Sequence, residues 1–182
     1  MFGMPLHPLV VHFPIVLTFL LPVSIVAALW TIRRGTTPRR AWAVPLAVAA
    51  ALALSAFAAT RTGESEEDRV ERVVTKAALH GHEEAGERLM VLSSVLLVVV
   101  VAGLLPRTAG QAARLVAAGG ALALITAAVQ VGHSGGQLVY RHGAASAYTD
   151  STAAPVARDR VTAGSRTAAR AARAERDDGD GR

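Results

Sequence analysis

Four long apolar segments dominate the pattern of hydrophobic and polar positions along the chain. They cover about residues 10–32, 42–60, 89–105 and 115–135, and each is close to the roughly 20 residues that a helix needs to cross the hydrocarbon core of a bilayer. Their apolar residues are clustered rather than periodic, which is typical of membrane spans and not of a soluble core. The pattern predicts an all-α fold, an integral membrane four-helix up-down bundle over residues 1–143.

The polar segments predict two further features. Between the second and third spans, Ser65 with Asp68 three residues later resembles a helix N-cap, and Val70 and Val74 continue at helical spacing. This segment is predicted to form an amphipathic loop helix at the membrane surface, or alternatively to extend the third span. Residues 144–182 consist mainly of Ala, Arg, Ser, Thr, Asp and Gly, which predicts a polar, disordered C-terminal tail.

Basic residues indicate the orientation in the membrane. The loops after the first and third spans are short and carry arginines but no acid: Arg33, Arg34, Arg39, Arg40, Arg107 and Arg114. In the longer loop over residues 61–88, eight acidic residues outnumber five basic ones. The positive-inside rule therefore predicts a multi-pass protein of the cytoplasmic membrane, with the short loops in the cytoplasm and both termini outside.

Charge and composition exclude several other functions. The net charge of +5 would suit nucleic acid, but the basic residues lie in loops and tail without a stripe of interleaved aromatic residues, so no nucleic-acid partner is expected. The chain has no cysteine, which excludes haem attached through a Cys-x-x-Cys-His motif, Cys-ligated iron–sulfur clusters and disulfides. The expected partner is the lipid bilayer.

A one-sided cluster of histidines is the main sign of chemistry. In an up-down bundle, the starts of the first and third spans share one face with the ends of the second and fourth. All six histidines lie at those ends or in the loop over residues 61–88: His7, His12, His80, His82, His133 and His142. Ionisable groups at membrane depth are costly unless they are paired or functional, and bundle cores hold cofactors between facing helices. The cluster suggests a metal or haem site.

Two of the histidine segments precede the first and third spans. His7 and His12 are five residues apart, about 140° around a helix, so at most one is expected to point into the bundle, and His12 is favoured because it lies deeper. His82 is followed by Glu83, a further metal ligand, but no second histidine follows four residues later, so the zinc-protease motif is rejected. A structural role at a helix end is the alternative for each.

The third histidine segment follows the fourth span. His133 is accompanied by Gly135 and Gly136, and glycine lets a flat group or another helix approach the backbone closely. Arg141 could pair with a haem propionate. Tight helix packing followed by an unwinding turn is the alternative.

The same segments carry a family resemblance. Leu6-His-Pro-Leu-Val-Val-His-Phe-Pro14, Thr62-Gly63, His82-Glu83 with Gly86, and Gly135-Gly-Gln-Leu-Val-Tyr-Arg-His-Gly143 resemble the bacterial four-helix membrane family called domain of unknown function 2231, over about residues 5–145. The resemblance implies no settled activity, although relatives joined to cytochrome c-like modules imply a redox setting. It gives no support to His80. It supports five other histidines as family-type positions: His7, His12, His82, His133 and His142.

Three functions remain open, and whether the protein is an enzyme is undecided. The first is a b-type haem protein that passes electrons between a quinone and an outside redox partner, with axial ligands from His12, His82 and His133 and room for the ring at Gly135 and Gly136. The second is a non-haem divalent metal site, with ligands from His7, His12, His82, Glu83, His133 and His142. The third is a non-catalytic scaffold without a cofactor. Each is compatible with a homo-oligomer.

Overall fold

The computed structural model describes residues 6–148. Most of the predicted disordered tail therefore lies outside the described residues. Its first five residues, Ala144–Tyr148, form a short 3₁₀ helix, and Ala144 is buried in a small cluster with Leu138, Val74 and Leu79. Ordered structure thus continues past the predicted end of the bundle at residue 143.

Seven α-helices make up the described chain, and no β-strand occurs between residues 6 and 148. They are α1 (His7–Val10), α2 (His12–Arg33), α3 (Pro38–Ala41), α4 (Ala43–Glu64), α5 (Glu67–Val70), α6 (Lys76–Ala102) and α7 (Arg107–Tyr140). Four helical stretches, built on α2, α4, α6 and α7, are long and apolar enough to cross a membrane, with mean hydropathy from 1.9 to 2.4 in their most apolar windows. The predicted four-span, all-α membrane fold is confirmed.

The loop between the second and third spans contains less independent helix than the sequence suggested. Its own helix, α5, is a single turn that ends at Val70. The alternative interpretation, an extension of the third span, holds from Lys76 onward, where α6 begins. Gly81 and Gly86 lie inside α6 without interrupting it, so the third helix carries His82 on a continuous, rigid backbone.

The four long helices pack in a ring. The helix α4 contacts α2 on one side and α6 on the other, and α7 contacts α6 and closes the ring against α2. Small residues such as Ala49 and Ala121 are fully buried at these contacts, which lets the helix backbones approach closely, as is usual in membrane bundles. On the outer surface, large apolar side chains are 61–70% exposed, as expected for positions that face lipid: Val16, Leu54, Val98 and Leu122.

The first helix of each hairpin buries residues at the same distances from a histidine. Counting from His7 in the first hairpin and from His82 in the second, the residues eleven, fourteen and eighteen positions later are buried. These are Thr18, Leu21 and Ile25 in α2, and Ser93, Leu96 and Val100 in α6. A hydroxyl residue, then two aliphatic residues, therefore occupy matching places on two different helices.

The second helix of each hairpin shows the same correspondence. Buried residues of α4 reappear in α7 with a constant offset of 72 positions. The pairs are Ala49 with Ala121, Leu52 with Leu124 and Ala56 with Ala128. The bundle is thus two copies of one helical hairpin, and the ring order puts equivalent helices diagonally opposite, as an approximate two-fold rotation about the bundle axis requires.

Candidate functional site

His7 is held at the start of the first hairpin by contacts to the second helix and to the segment that follows it. The backbone N–H groups of Leu6 and His7 donate to Glu66 Oε1 at 2.8 and 3.3 Å, which satisfies donors that have no partner inside α1. The imidazole Nδ1 lies 2.9 Å from the carbonyl oxygen of Ala59 and 3.4 Å from Thr62 Oγ1. Because a carbonyl only accepts, we assign Nδ1 as the donor to Ala59, and in the corresponding neutral tautomer Nε2 carries the lone pair.

His82 is held in the same way in the second hairpin. Its Nδ1 lies 2.8 Å from Ser134 Oγ, and the Ser134 hydroxyl donates to the carbonyl oxygen of Val131 at 3.0 Å. Since the hydroxyl has a single proton, which is used on Val131, we assign Nδ1 of His82 as the donor to Ser134. Nε2 of His82 is then the unprotonated nitrogen, as in His7.

A glycine backs each imidazole ring. A Cβ atom on Gly63 would lie 3.2 Å from Cε1 of His7, and a Cβ atom on Gly135 would lie 3.0 Å from Cε1 of His82. Both distances are shorter than ordinary van der Waals contact. Each ring therefore rests against bare helix backbone, next to the residue whose hydroxyl it contacts.

The two anchored rings lie next to each other at one end of the bundle. Their centroids are 6.2 Å apart and their planes are inclined by 83°. Histidines that ligate a metal usually donate their second ring N–H to an oxygen, which fixes the tautomer and makes the ligating nitrogen more basic. Two imidazoles on opposite sides of one metal ion, at metal–nitrogen distances of about 2.0–2.1 Å, would have centroids about 6.3 Å apart. The observed separation of the ring centroids is close to this distance.

The other histidines predicted as ligands lie elsewhere on the surface. His12, His133 and His142 are exposed, and the His133 ring is 2.8 Å from the side-chain nitrogen of Gln137 on its own helix. The structure therefore brings His82 together with His7, and not with His12 or His133.

The remaining predicted site residues differ in their relation to the paired rings. Glu83 is 3.8 Å from His80, whose ring also lies 3.3 Å from Glu84. Arg141 is exposed. Gly135 makes room for the ring of His82, whereas a Cβ on Gly136 would meet nothing within 4 Å. Between residues 6 and 148, no group of three or more His, Asp or Glu side chains could hold a metal ion.

Sequence reasoning missed the residues that hold the two rings. Thr62 and Ser134 each precede a glycine, and each donates to the carbonyl three residues earlier, at 3.0 Å. The recurrence of a hydroxyl residue followed by glycine at the ends of the second and fourth spans, together with a histidine before the first and third, was the available signal.

Comparison with known proteins gives one match. The family model described as "Predicted membrane protein (DUF2231)" matches residues 3–147. No curated protein matches the chain, and no solved structure matches it. The matched range contains both hairpins and both anchored histidines.

Proposed function

Because the chain belongs to the DUF2231 family of predicted membrane proteins, we propose a function exercised within the bilayer: a redox protein in which His7 and His82 are the axial ligands of a b-type haem. The observation that carries the proposal is the separation of 6.2 Å between the two ring centroids, with Nδ1 of each ring engaged by helix oxygens. Two imidazoles on opposite helices are the ligand set of a six-coordinate b-type haem.

The chain's own residues fit the requirements of such ligands. The oxygens of Ala59 and Ser134 fix the ring orientations and leave both Nε2 atoms basic. Because Gly63 and Gly135 have no Cβ atom, the rings of His7 and His82 can lie directly against the helix backbone. Seven residues after each histidine, the buried residues Pro14 and Leu89 are both apolar, which lowers the polarity on the inner side of the site.

Haem supplies one-electron chemistry. The position of the two histidines at one end of the bundle suits electron exchange with a partner at that surface of the membrane. A quinone in the bilayer and a redox partner at that surface are the partners we propose. Arg141, exposed near the same end, is available to a propionate. In this arrangement, His12 and His133 are not required as axial ligands.

A non-haem metal is the second candidate, and it would use the same two free Nε2 atoms. Two imidazoles supply only part of the usual tetrahedral set of zinc. A substrate, a second chain or residues outside 6–148 would have to complete it, since the described residues contain no group of three suitable side chains. The haem proposal needs no further protein ligand and is therefore preferred.

The test is a visible absorption spectrum, with metal analysis on the same sample, of the full chain purified from haem-supplemented cells. We expect a Soret band and the sharp visible bands of a low-spin haem. His7→Ala and His82→Ala should remove or shift these bands. His80→Ala is the matched control, because His80 lies two residues before His82 and its side chain is 72% exposed.

Three results would contradict the proposal. A wild-type sample without haem would exclude it, and stoichiometric non-haem metal in that sample would favour the second candidate. Haem bands that survive in His7→Ala but disappear in His12→Ala and His133→Ala would show that His12 and His133 are ligands, as the sequence suggested, and that His7 is not. Folding of each variant is checked by its thermal unfolding curve, so that a lost band is not confused with a lost fold.

A further inference from the structure

A basic cleft lies at the end of the bundle opposite to the paired histidines. Its volume is ≈ 1040 Å³, and it lies between the ends of α2 and α6, the start of α3 and the start of α7. Four arginines line it: Arg33, Arg39, Arg107 and Arg114. None of its lining residues is acidic, and the sequence has no Asp or Glu in residues 1–63 or 88–149. Within residues 6–148, the charge of this cleft is therefore not balanced by an acidic side chain nearby.

Arg114 is the most informative of the four arginines because it is only 8% exposed. Its Nε donates to the carbonyl oxygen of Gly103 at 2.8 Å, and its guanidinium carbon is 5.8 Å from the centroid of the Trp42 ring. The carbonyl end of α6 compensates part of the buried charge. All acidic residues of the described chain lie within residues 64–87, at the other end, so a carboxylate does not complete the compensation.

The connection from α6 to α7, including the first residue of α7, has an unusual conformation beside the cleft. Arg107 has a φ of 58°, a left-handed conformation that is uncommon for residues other than glycine. A Cβ on Gly110 would overlap the carbonyl of Leu105, so the turn packs directly on the first turn of the helix. The free N–H groups at the start of α7 lie in this region, where Thr108 also lines the cleft, and such groups favour an anion.

Apolar side chains form the rest of the cleft. Leu29, Ile32, Leu104, Leu105 and Leu115 line it, and Leu105 and Leu115 are 50% and 60% exposed. The cleft therefore joins a cationic end to the apolar outer surface of the bundle. A ligand that matches both parts has an anionic head and an apolar chain.

We propose that this cleft binds an anionic phospholipid of the surrounding membrane, with the phosphate among the four arginines and an acyl chain along the leucines. Basic pockets between membrane helices recognise lipid headgroups in this way. Inorganic phosphate shares the headgroup chemistry but not the acyl chain, so it distinguishes an anion site from a lipid site.

The test measures lipid binding to the full chain in detergent by native mass spectrometry, with phosphatidylglycerol, phosphatidylcholine and inorganic phosphate as separate probes. We expect phosphatidylglycerol to bind more tightly than phosphatidylcholine. Arg33→Gln with Arg39→Gln should weaken phosphatidylglycerol binding about 30-fold, because each arginine contributes about fivefold and the two factors multiply.

The matched control is Arg34→Gln with Arg40→Gln, which removes the same charge from the same loop. Neither of these residues lines the cleft, and the Arg34 guanidinium lies over the ring of Trp30 at 4.5 Å. This control should change the affinity less than about threefold. Equal binding of the two lipids, equal losses in the two double variants, or inorganic phosphate that binds as tightly as phosphatidylglycerol would each overturn the proposal. Because these variants lie away from His7 and His82, their results are independent of the haem proposal.

Discussion

The adjacent glycines Gly135 and Gly136 should respond differently to substitution by alanine. Both lie in α7, where alanine is favoured over glycine by up to about 1 kcal/mol. A Cβ on Gly136 would meet nothing within 4 Å, so that variant should gain most of this stability. A Cβ on Gly135 would lie 3.0 Å from Cε1 of His82, and the ring would have to move by a few tenths of an ångström.

The ring of His82 has little freedom to move, because its Nδ1 is bound to Ser134 at 2.8 Å. Overpacking at such a contact costs about 1–3 kcal/mol. A cost of about 3 kcal/mol exceeds the stability gained from helix propensity, and a cost of about 1 kcal/mol cancels it. Gly135→Ala should therefore be less stable than Gly136→Ala by about 1–3 kcal/mol, a difference of roughly 2–4 °C in unfolding temperature for each kcal/mol.

The assay is thermal unfolding of the purified variants in one detergent, followed by intrinsic fluorescence or circular dichroism. Gly132→Ala is a second control, since a Cβ there also meets nothing within 4 Å. If Gly135→Ala raises the unfolding temperature as much as Gly136→Ala and Gly132→Ala, the ring of His82 does not rest on α7. The geometry on which the paired-histidine site depends would then be wrong.

Two further predictions concern the packing of the two ends of the bundle and use the same unfolding assay. Trp42→Phe removes the hydrogen bond of 2.8 Å from the indole to the carbonyl of Val100 and should cost about 1–3 kcal/mol of stability. The control is Trp30→Phe, at a side chain that is 56% exposed, and it should change stability by less than about 0.5 kcal/mol. Equal effects would contradict the buried indole. Glu66→Ala removes the hydrogen-bond acceptor at the start of α1 and should cost about 1 kcal/mol of stability. The control is Glu64→Ala, which breaks an exposed ion pair and should cost about 0.3 kcal/mol. A larger loss in Glu64→Ala than in Glu66→Ala would contradict the capping role of Glu66.

The four spans could be predicted from sequence because length and hydropathy alone select them. The ends of the helices could not, because a helix continues into the interface after its apolar residues stop. The helix α6 begins at Lys76, well before the apolar segment that starts at about residue 89. Its polar first turns carry His82, so a prediction limited to the apolar segment underestimates the rigidity of that position.

The choice between His7 and His12 shows what depth along the sequence cannot supply. The expectation that at most one of them points into the bundle agrees with the partly buried His7 and the exposed His12. Depth favoured the wrong residue for packing, because the direction of a side chain depends on its angle around the helix. Thr18 and Ile25 follow His7 by eleven and eighteen residues, close to whole turns at 100° per residue, so His7 lies on the buried face and His12 does not.

The internal repeat gives the two ends of the bundle different chemical character. At the histidine end, both hairpins place the same contacts: a ring, a hydroxyl and a glycine. At the opposite end, Trp42 and Arg114 occupy equivalent positions, each twenty residues before the hydroxyl residue of its hairpin. Both nevertheless donate to carbonyls at the end of the same helix, Trp42 to Val100 in α6 and Arg114 to Gly103 directly after it. The repeat therefore keeps the same side chains at the histidine end, whereas at the opposite end one hairpin supplies an indole and the other a cation. The two sites that we propose, one for a symmetric pair of ligands and one for an asymmetric amphiphile, would thus both arise from the same duplicated hairpin.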